Sequence, residues 1–187
     1  QIQISGGPRP FAVEGLAPRF IPNASFPLER KQQDIWYQVA SNADTQYSLG
    51  LTFSKMNRGD EEILAYRRAI AIKPDHANSI EKLGLALYKQ KRYADAAIIF
   101  DQLKTYKPDA KTYNYLGESY LESGKPDESI EALNSALGYN PDFDKARYNL
   151  GRAYIKLGNR DMAQVQYEIL RNSRSEWTDR LFVLLNP

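Results

Sequence analysis

One phrase occurs four times in this chain and limits what the chain can fold into. LGLTFSK begins at Leu49, LGLALYK at Leu83, LGESYLE at Leu116 and LGRAYIK at Leu150. Their glycines, Gly50, Gly84, Gly117 and Gly151, stand about 34 residues apart, and Pro74, Pro108 and Pro141 keep the same step. Such a period marks a solenoid, in which each copy buries its apolar face only against its neighbours. The third copy shows the unit. Tyr113, Leu116, Gly117 and Tyr120 take the spacing of one helix face. Gly124 then supplies a left-handed helix end, Pro126 suits a first turn, and Asp127 and Glu128 complement the next helix dipole. Ile130, Leu133, Ala136 and Leu137 line a second helix that stops at Asn140 and Pro141. The expected fold class is all-α.

Aligned on these landmarks, the third copy reads Tyr113, Leu116-Gly117, Tyr120, Ser129, Leu133, Ala136, Pro141. The first reads Gln46, Leu49-Gly50, Phe53, Glu62, Tyr66, Ala69, Pro74, and the second Ile80, Leu83-Gly84, Leu87, Ala96, Phe100, Leu103, Pro108. The fourth reads Arg147, Leu150-Gly151, Tyr154, Ala163, Tyr167, Leu170, without a terminal proline. Four copies in register resemble tetratricopeptide repeats. The resemblance implies a right-handed α-solenoid of four helix-turn-helix repeats, at residues 43–76, 77–109, 110–143 and 144–174. Each repeat would pair a helix A with a helix B. Small residues such as Gly50 and Ala96 should let the two approach closely. Tyr66, Phe100 and Tyr167 should plug the gap between successive repeats. Glu62, where alanine is expected, predicts a looser first contact, and Ser129 a milder version of it.

The flanks read differently. Residues 1–27 hold five of the ten prolines and read as an extended arm. Apolar groups are spread along it, so it is either a tail lying on its own domain or a docking arm, with Phe11, Phe20, Ile21 and Phe26 as its contacts. Residues 28–42 form a plausible N-terminal capping helix, striped by Leu28, Ile35, Trp36 and Val39. Residues 175–187 predict a C-terminal capping helix, with Ser175 as N-cap and Trp177, Leu181, Leu184 and Leu185 facing the core. Phe182 and Val183 fall off that stripe and are free to meet a partner.

Little in the chain suggests chemistry. It has no cysteine, which excludes thiolate metal sites and a cysteine nucleophile. The one histidine, His76, follows Pro74 and reads as a solvated turn residue. Asp60-Glu61-Glu62 and Asp127-Glu128 open B helices, where adjacent side chains point apart. No phosphate loop, nucleophile triad or zinc pattern occurs, so the chain reads as non-enzymatic and without a cofactor. A net charge of +2 gives no ground for a nucleic-acid partner. No run reaches the roughly 18 apolar residues of a membrane span. The start at Gln1 and the sequon Asn23-Ala24-Ser25, with Asn23 a possible glycosylation site, suit an exported protein, periplasmic, lumenal or extracellular; a cytoplasmic one is the alternative.

The resemblance places a binding groove on the exposed side of the A helices. In register with the family it would be lined by Tyr47, Leu51, Glu81, Leu85, Tyr88, Asn114, Glu118, Leu121, Tyr148, Asn149, Arg152 and Ile155. That mixture suits an extended peptide or a helix. Some family members grip a terminal carboxylate with a Lys and Asn cluster. Tyr47 and Leu51 stand at those positions of the first repeat, which speaks against chaperone tails as ligands. The leading expectation is a non-catalytic scaffold for a protein partner. The alternative is a structural protomer whose arm docks on further copies of itself; an accessory subunit of an enzyme complex is a third.

Overall fold

The computed structural model describes residues 41–187. Residues 1–27, with the arm contacts Phe11, Phe20, Ile21 and Phe26 and the sequon at Asn23, lie outside the described residues, as do residues 28–40 of the expected N-terminal cap. Among the described residues the chain is helical throughout. The A helices are α1 (Ala43–Lys55), α3 (Ala77–Lys89), α5 (Ala110–Glu122) and α7 (Asp144–Lys156). Each is followed by a B helix: α2 (Gly59–Ile72), α4 (Tyr93–Tyr106), α6 (Pro126–Tyr139) and α8 (Arg160–Asn172). A short α9 (Thr178–Leu185) closes the series. Contacts run between successive helices, and the repeats stack as a solenoid.

Local chemistry repeats with the helices. Each A helix ends in one left-handed residue: Asn57, Lys91, Gly124 and Gly158, with φ of 56°, 61°, 82° and 75°. The next amide then reaches back five residues, from Arg58 to Phe53, Arg92 to Leu87, Lys125 to Tyr120 and Asn159 to Tyr154, at 2.9–3.0 Å. This bond closes the helix end and turns the chain into helix B. The A helices α1, α3 and α5 start on side-chain caps from Asn42, His76 and Asp109. The B helices α2, α4 and α6 lack such caps. There the N-cap residue is basic and pairs with an acid three residues on, as in Arg58–Glu61 and Arg92–Asp95, both 2.6 Å.

Packing is set where A meets B within a repeat. A Cβ added to Gly50 would stand 2.4 Å from the Tyr66 ring, one at Gly84 2.7 Å from Phe100, and one at Gly117 2.6 Å from Leu133. Tyr66, Phe100 and Leu133 are each 0% exposed. These large side chains therefore lie on the glycines of their own repeat as well as joining the shared core. The fourth repeat departs from the expectation. Tyr167 is only half-buried, leaning on Phe182 with ring centroids 5.7 Å apart. The place over Gly151 is filled instead by Leu181 of α9, 2.6 Å from a Cβ there. With no fifth repeat among the described residues, the final helix supplies the plug.

That helix also starts later than its sequence suggests. Ser175 is not its N-cap: α9 begins at Thr178 after Trp177, and Ser175 Oγ accepts from the Trp177 amide at 3.3 Å inside the preceding turn. Leu181 and Leu185 face the core, whereas Leu184 is 41% exposed because the short helix seats only one narrow stripe. Arg160 of α8 donates to the Leu185 carbonyl and holds the end of α9. At the other edge, Leu49 is 36% exposed while its counterparts Leu83, Leu116 and Leu150 are 2–3% exposed. Glu62 is 7% exposed despite its charge.

These contacts predict a graded response in chemical denaturation. Gly84→Ala should lose about 1–3 kcal/mol, because the rigid Phe100 ring must move. Gly124→Ala, with nothing within 4 Å of its added Cβ, should lose about 1–2 kcal/mol through backbone conformation alone. Lys91→Gly should gain stability for the same reason. Leu181→Ala should lose about 2–5 kcal/mol by opening the cavity over Gly151.

Candidate functional site

The A helices turn their Leu-Gly face inward, so the opposite face is left to line a surface. On that face the structure separates the expected groove residues into two groups. Tyr47, Leu51, Leu85, Tyr88, Tyr148 and Ile155 are half-buried and lie along it, as do Glu81, Glu118 and Arg152. Asn114, Asn149 and Leu121 are each 1% exposed and are not surface groups. Leu121 packs with Leu133, Ala146 and Leu150, because the fourth repeat covers it. Asn114 and Asn149 are covered by the direct approach of α7 to α5. There Asn149 Nδ2 donates to Asn114 Oδ1 at 3.1 Å, and Arg152 donates to Asn149 Oδ1 at 3.2 Å. Asn114 Nδ2 is buried without a hydrogen-bond partner.

The half-buried groups are interlocked across repeats. The Tyr88 hydroxyl donates to Glu118 Oε1 at 3.2 Å, and Lys145 donates to Glu118 Oε2 at 2.9 Å. Lys107 donates to Glu81 at 2.7 Å, with Lys111 3.9 Å from the same carboxylate. Arg152 pairs with Glu122 at 2.5 Å. Among these pairs stands Tyr115, stacked on Phe100 at 5.2 Å, with Lys111 and Lys145 each 5.9 Å from its ring centre. At the far end Tyr148 leans on Trp177 at 4.9 Å. Sequence register missed Tyr115, Lys107, Lys111, Lys145 and Trp177. Tyr115, Lys111 and Lys145 are bound to the face through contacts that cross repeats, which a one-repeat pattern does not display, and Lys107 through a bond from the end of helix B back to helix A of its own repeat.

His76 also differs from its sequence reading. It is 9% exposed, not solvated. Its Nδ1 accepts from the Ser79 amide at 3.3 Å, capping α3, and its Nε2 lies 3.0 Å from Asp44 of the preceding A helix. The Nδ1 role assigns the proton to Nε2, which donates to Asp44. Tyr47 presents its ring to the imidazole edge at 5.5 Å. The residue joins the first two repeats.

Burial, then the charges of Glu118 and Glu122, raise the pKa of Tyr88 far above the ordinary tyrosine value. Burial, then Glu81, raises that of Tyr115. The hydrogen bond to Glu81 raises that of Lys107 against the opposing effect of burial. Burial opposes the charge of Arg152, yet its bond to Glu122 leaves it raised. Among the described residues no group of three or more His, Cys, Asp or Glu could hold a metal ion. Among them, too, no helix is long and apolar enough to cross a membrane.

Stacked helical hairpins with an A-helix face of this kind define an α-solenoid repeat protein. The chain belongs to the tetratricopeptide repeat family: sequence models of that family match residues 47–111 and 120–176. The peroxisomal targeting signal receptor of Candida albicans is 28% identical over 121 residues, which are 65% of this chain and 15% of that protein. Protein FlbA of Caulobacter vibrioides is 29% identical over 112 residues, 58% of this chain and 19% of that protein. The chain thus spans less than a fifth of the length of either relative. Among solved structures, residues 41 to the end of MamA from Desulfovibrio magneticus RS-1 match with a TM-score of 0.67 and 19% identity, over 75% of this chain and 77% of that one. YrrB, described as a TPR protein with an unusual peptide-binding site, matches with a TM-score of 0.62 and 17% identity, over 73% and 71% of the two chains.

The raised tyrosines and Lys107 give a signed pH dependence. All hold their protons more tightly folded than unfolded, so their contribution is complete below the unfolded pKa values and is lost above them. Stability from these groups should hold up to pH ~10 and fall beyond it. Tyr88→Phe should make that fall shallower in denaturant melts taken across alkaline pH.

Proposed function

We propose that this chain is a non-catalytic protein-interaction module whose A-helix face receives an extended or helical segment of a partner protein. One observation carries the reading. Half-buried Leu51, Leu85, Tyr88, Tyr115 and Tyr148 form a row on one face, and the polar groups between them are already hydrogen-bonded to each other. A partner segment laid there gains apolar contact without having to satisfy stranded buried charge. YrrB, of similar fold, is described as having an unusual peptide-binding site, which supports a peptide as ligand.

Leu85 tests the reading, since it lines the face without joining an ion pair. Leu85→Glu should keep the helical circular dichroism of the parent and weaken capture of the native partner by about tenfold or more, through a carboxylate desolvated against it. Capture at parental strength by the folded variant would remove the A-helix face as the binding surface.

A further inference from the structure

We infer that the partner segment is acidic where it crosses the third and fourth repeats, and that Lys111 and Lys145, both beside Tyr115, receive its carboxylates. This rests on the groove reading and adds the partner's chemistry to it. The argument comes from how the charges are layered. Glu81 and Glu118 are each 14% exposed, whereas the lysines paired with them are more exposed: Lys145 33%, Lys107 38% and Lys111 57%. The carboxylates therefore lie underneath and the ammonium groups outside.

The lysines also outnumber the carboxylates beneath them. Glu81 serves two, Lys107 at 2.7 Å and Lys111 at 3.9 Å, so Lys111 is held loosely and has donors to spare. Lys107 has a further acid at hand, Asp109 at 3.8 Å, and is the most fully paired of the three; Lys111 is the loosest, and Lys145, bound to Glu118 at 2.9 Å, keeps the donors that this one bond does not use. Both stand 5.9 Å from the centre of the Tyr115 ring, one on the third repeat and one on the fourth. A segment laid across the two A helices would meet two cations around one aromatic surface. Acidic side chains with apolar ones between them complement that grouping. A basic segment would meet the ammonium layer first, with the carboxylates out of reach below it.

The test is selection of random peptides displayed against the folded protein, with Leu85→Glu and the double variant Lys111→Gln/Lys145→Gln in parallel. Both altered lysines are partly exposed, so the double variant should keep the parental circular dichroism. The expected result is enrichment of peptides rich in Asp and Glu, whose affinity falls with added salt and drops about tenfold in the double variant. Enriched peptides that are neutral or basic, and lost in Leu85→Glu but not in the lysine variant, would overturn the acidic partner and leave the groove reading intact. Peptides that bind all three proteins equally, or no enrichment at all, would overturn both. Tighter binding of a labelled oligothymidylate than of any selected peptide, lost in the lysine variant, would replace the acidic segment by a nucleic acid.

Discussion

The close approach of helix A to helix B at one glycine per repeat is the constraint on which the rest of this structure depends. At Gly50, Gly84 and Gly117 a large side chain from the same repeat occupies the space a Cβ would need. Since a glycine in a helix gives up roughly 1 kcal/mol against alanine, its use at the same place in every A helix has to be offset by that contact. Tyr66 and Phe100 are 0% exposed and put most of a large apolar surface into it. The contact sets the A–B spacing and thereby the stacking of one repeat on the next. The fourth repeat shows how strict the requirement is. Tyr167, at the equivalent place, swings toward Phe182, and a leucine some thirty residues downstream of Gly151 fills the space instead.

The same periodicity explains what could be read from the sequence. Solenoid contacts run between neighbours, so the residues that make the fold recur with the repeat: Leu-Gly, the aromatic that follows, and the small residue of helix B. The left-handed turn was visible at Gly124 because glycine advertises it. At Asn57 and Lys91 the same backbone state is taken without a glycine, because the back-reaching amide bond imposes it. The candidate site was less legible. Leu121 shares its helical face with groove residues, yet the fourth repeat buries it, and a helical wheel of one repeat contains no term for the repeat that follows. His76 sits in a loop by its neighbours in sequence, but its partner Asp44 is 32 residues away. Lys107 and Lys145 are ordinary surface lysines until Glu81 and Glu118 are placed beside them.

The cross-repeat pairs give the A-helix face a second role. His76–Asp44, Lys111–Glu81, Tyr88–Glu118, Lys145–Glu118 and Arg152–Glu122 each join one repeat to its neighbour. Taken singly, partly exposed pairs of this kind contribute about 0–1 kcal/mol. Their position matters more than their number, because they tie one repeat to the next as well as the buried contacts do, and so oppose changes in the angle between repeats. A ligand that engages the same groups works on that angle directly. Acidic side chains drawing Lys111 or Lys145 outward would loosen the links to Glu81 and Glu118, while an apolar segment lying on Leu85 and Tyr115 would leave them intact. The surface proposed to receive the partner is thus built from groups that link one repeat to the next, and on that proposal partner chemistry and repeat geometry are energetically coupled through the same few side chains.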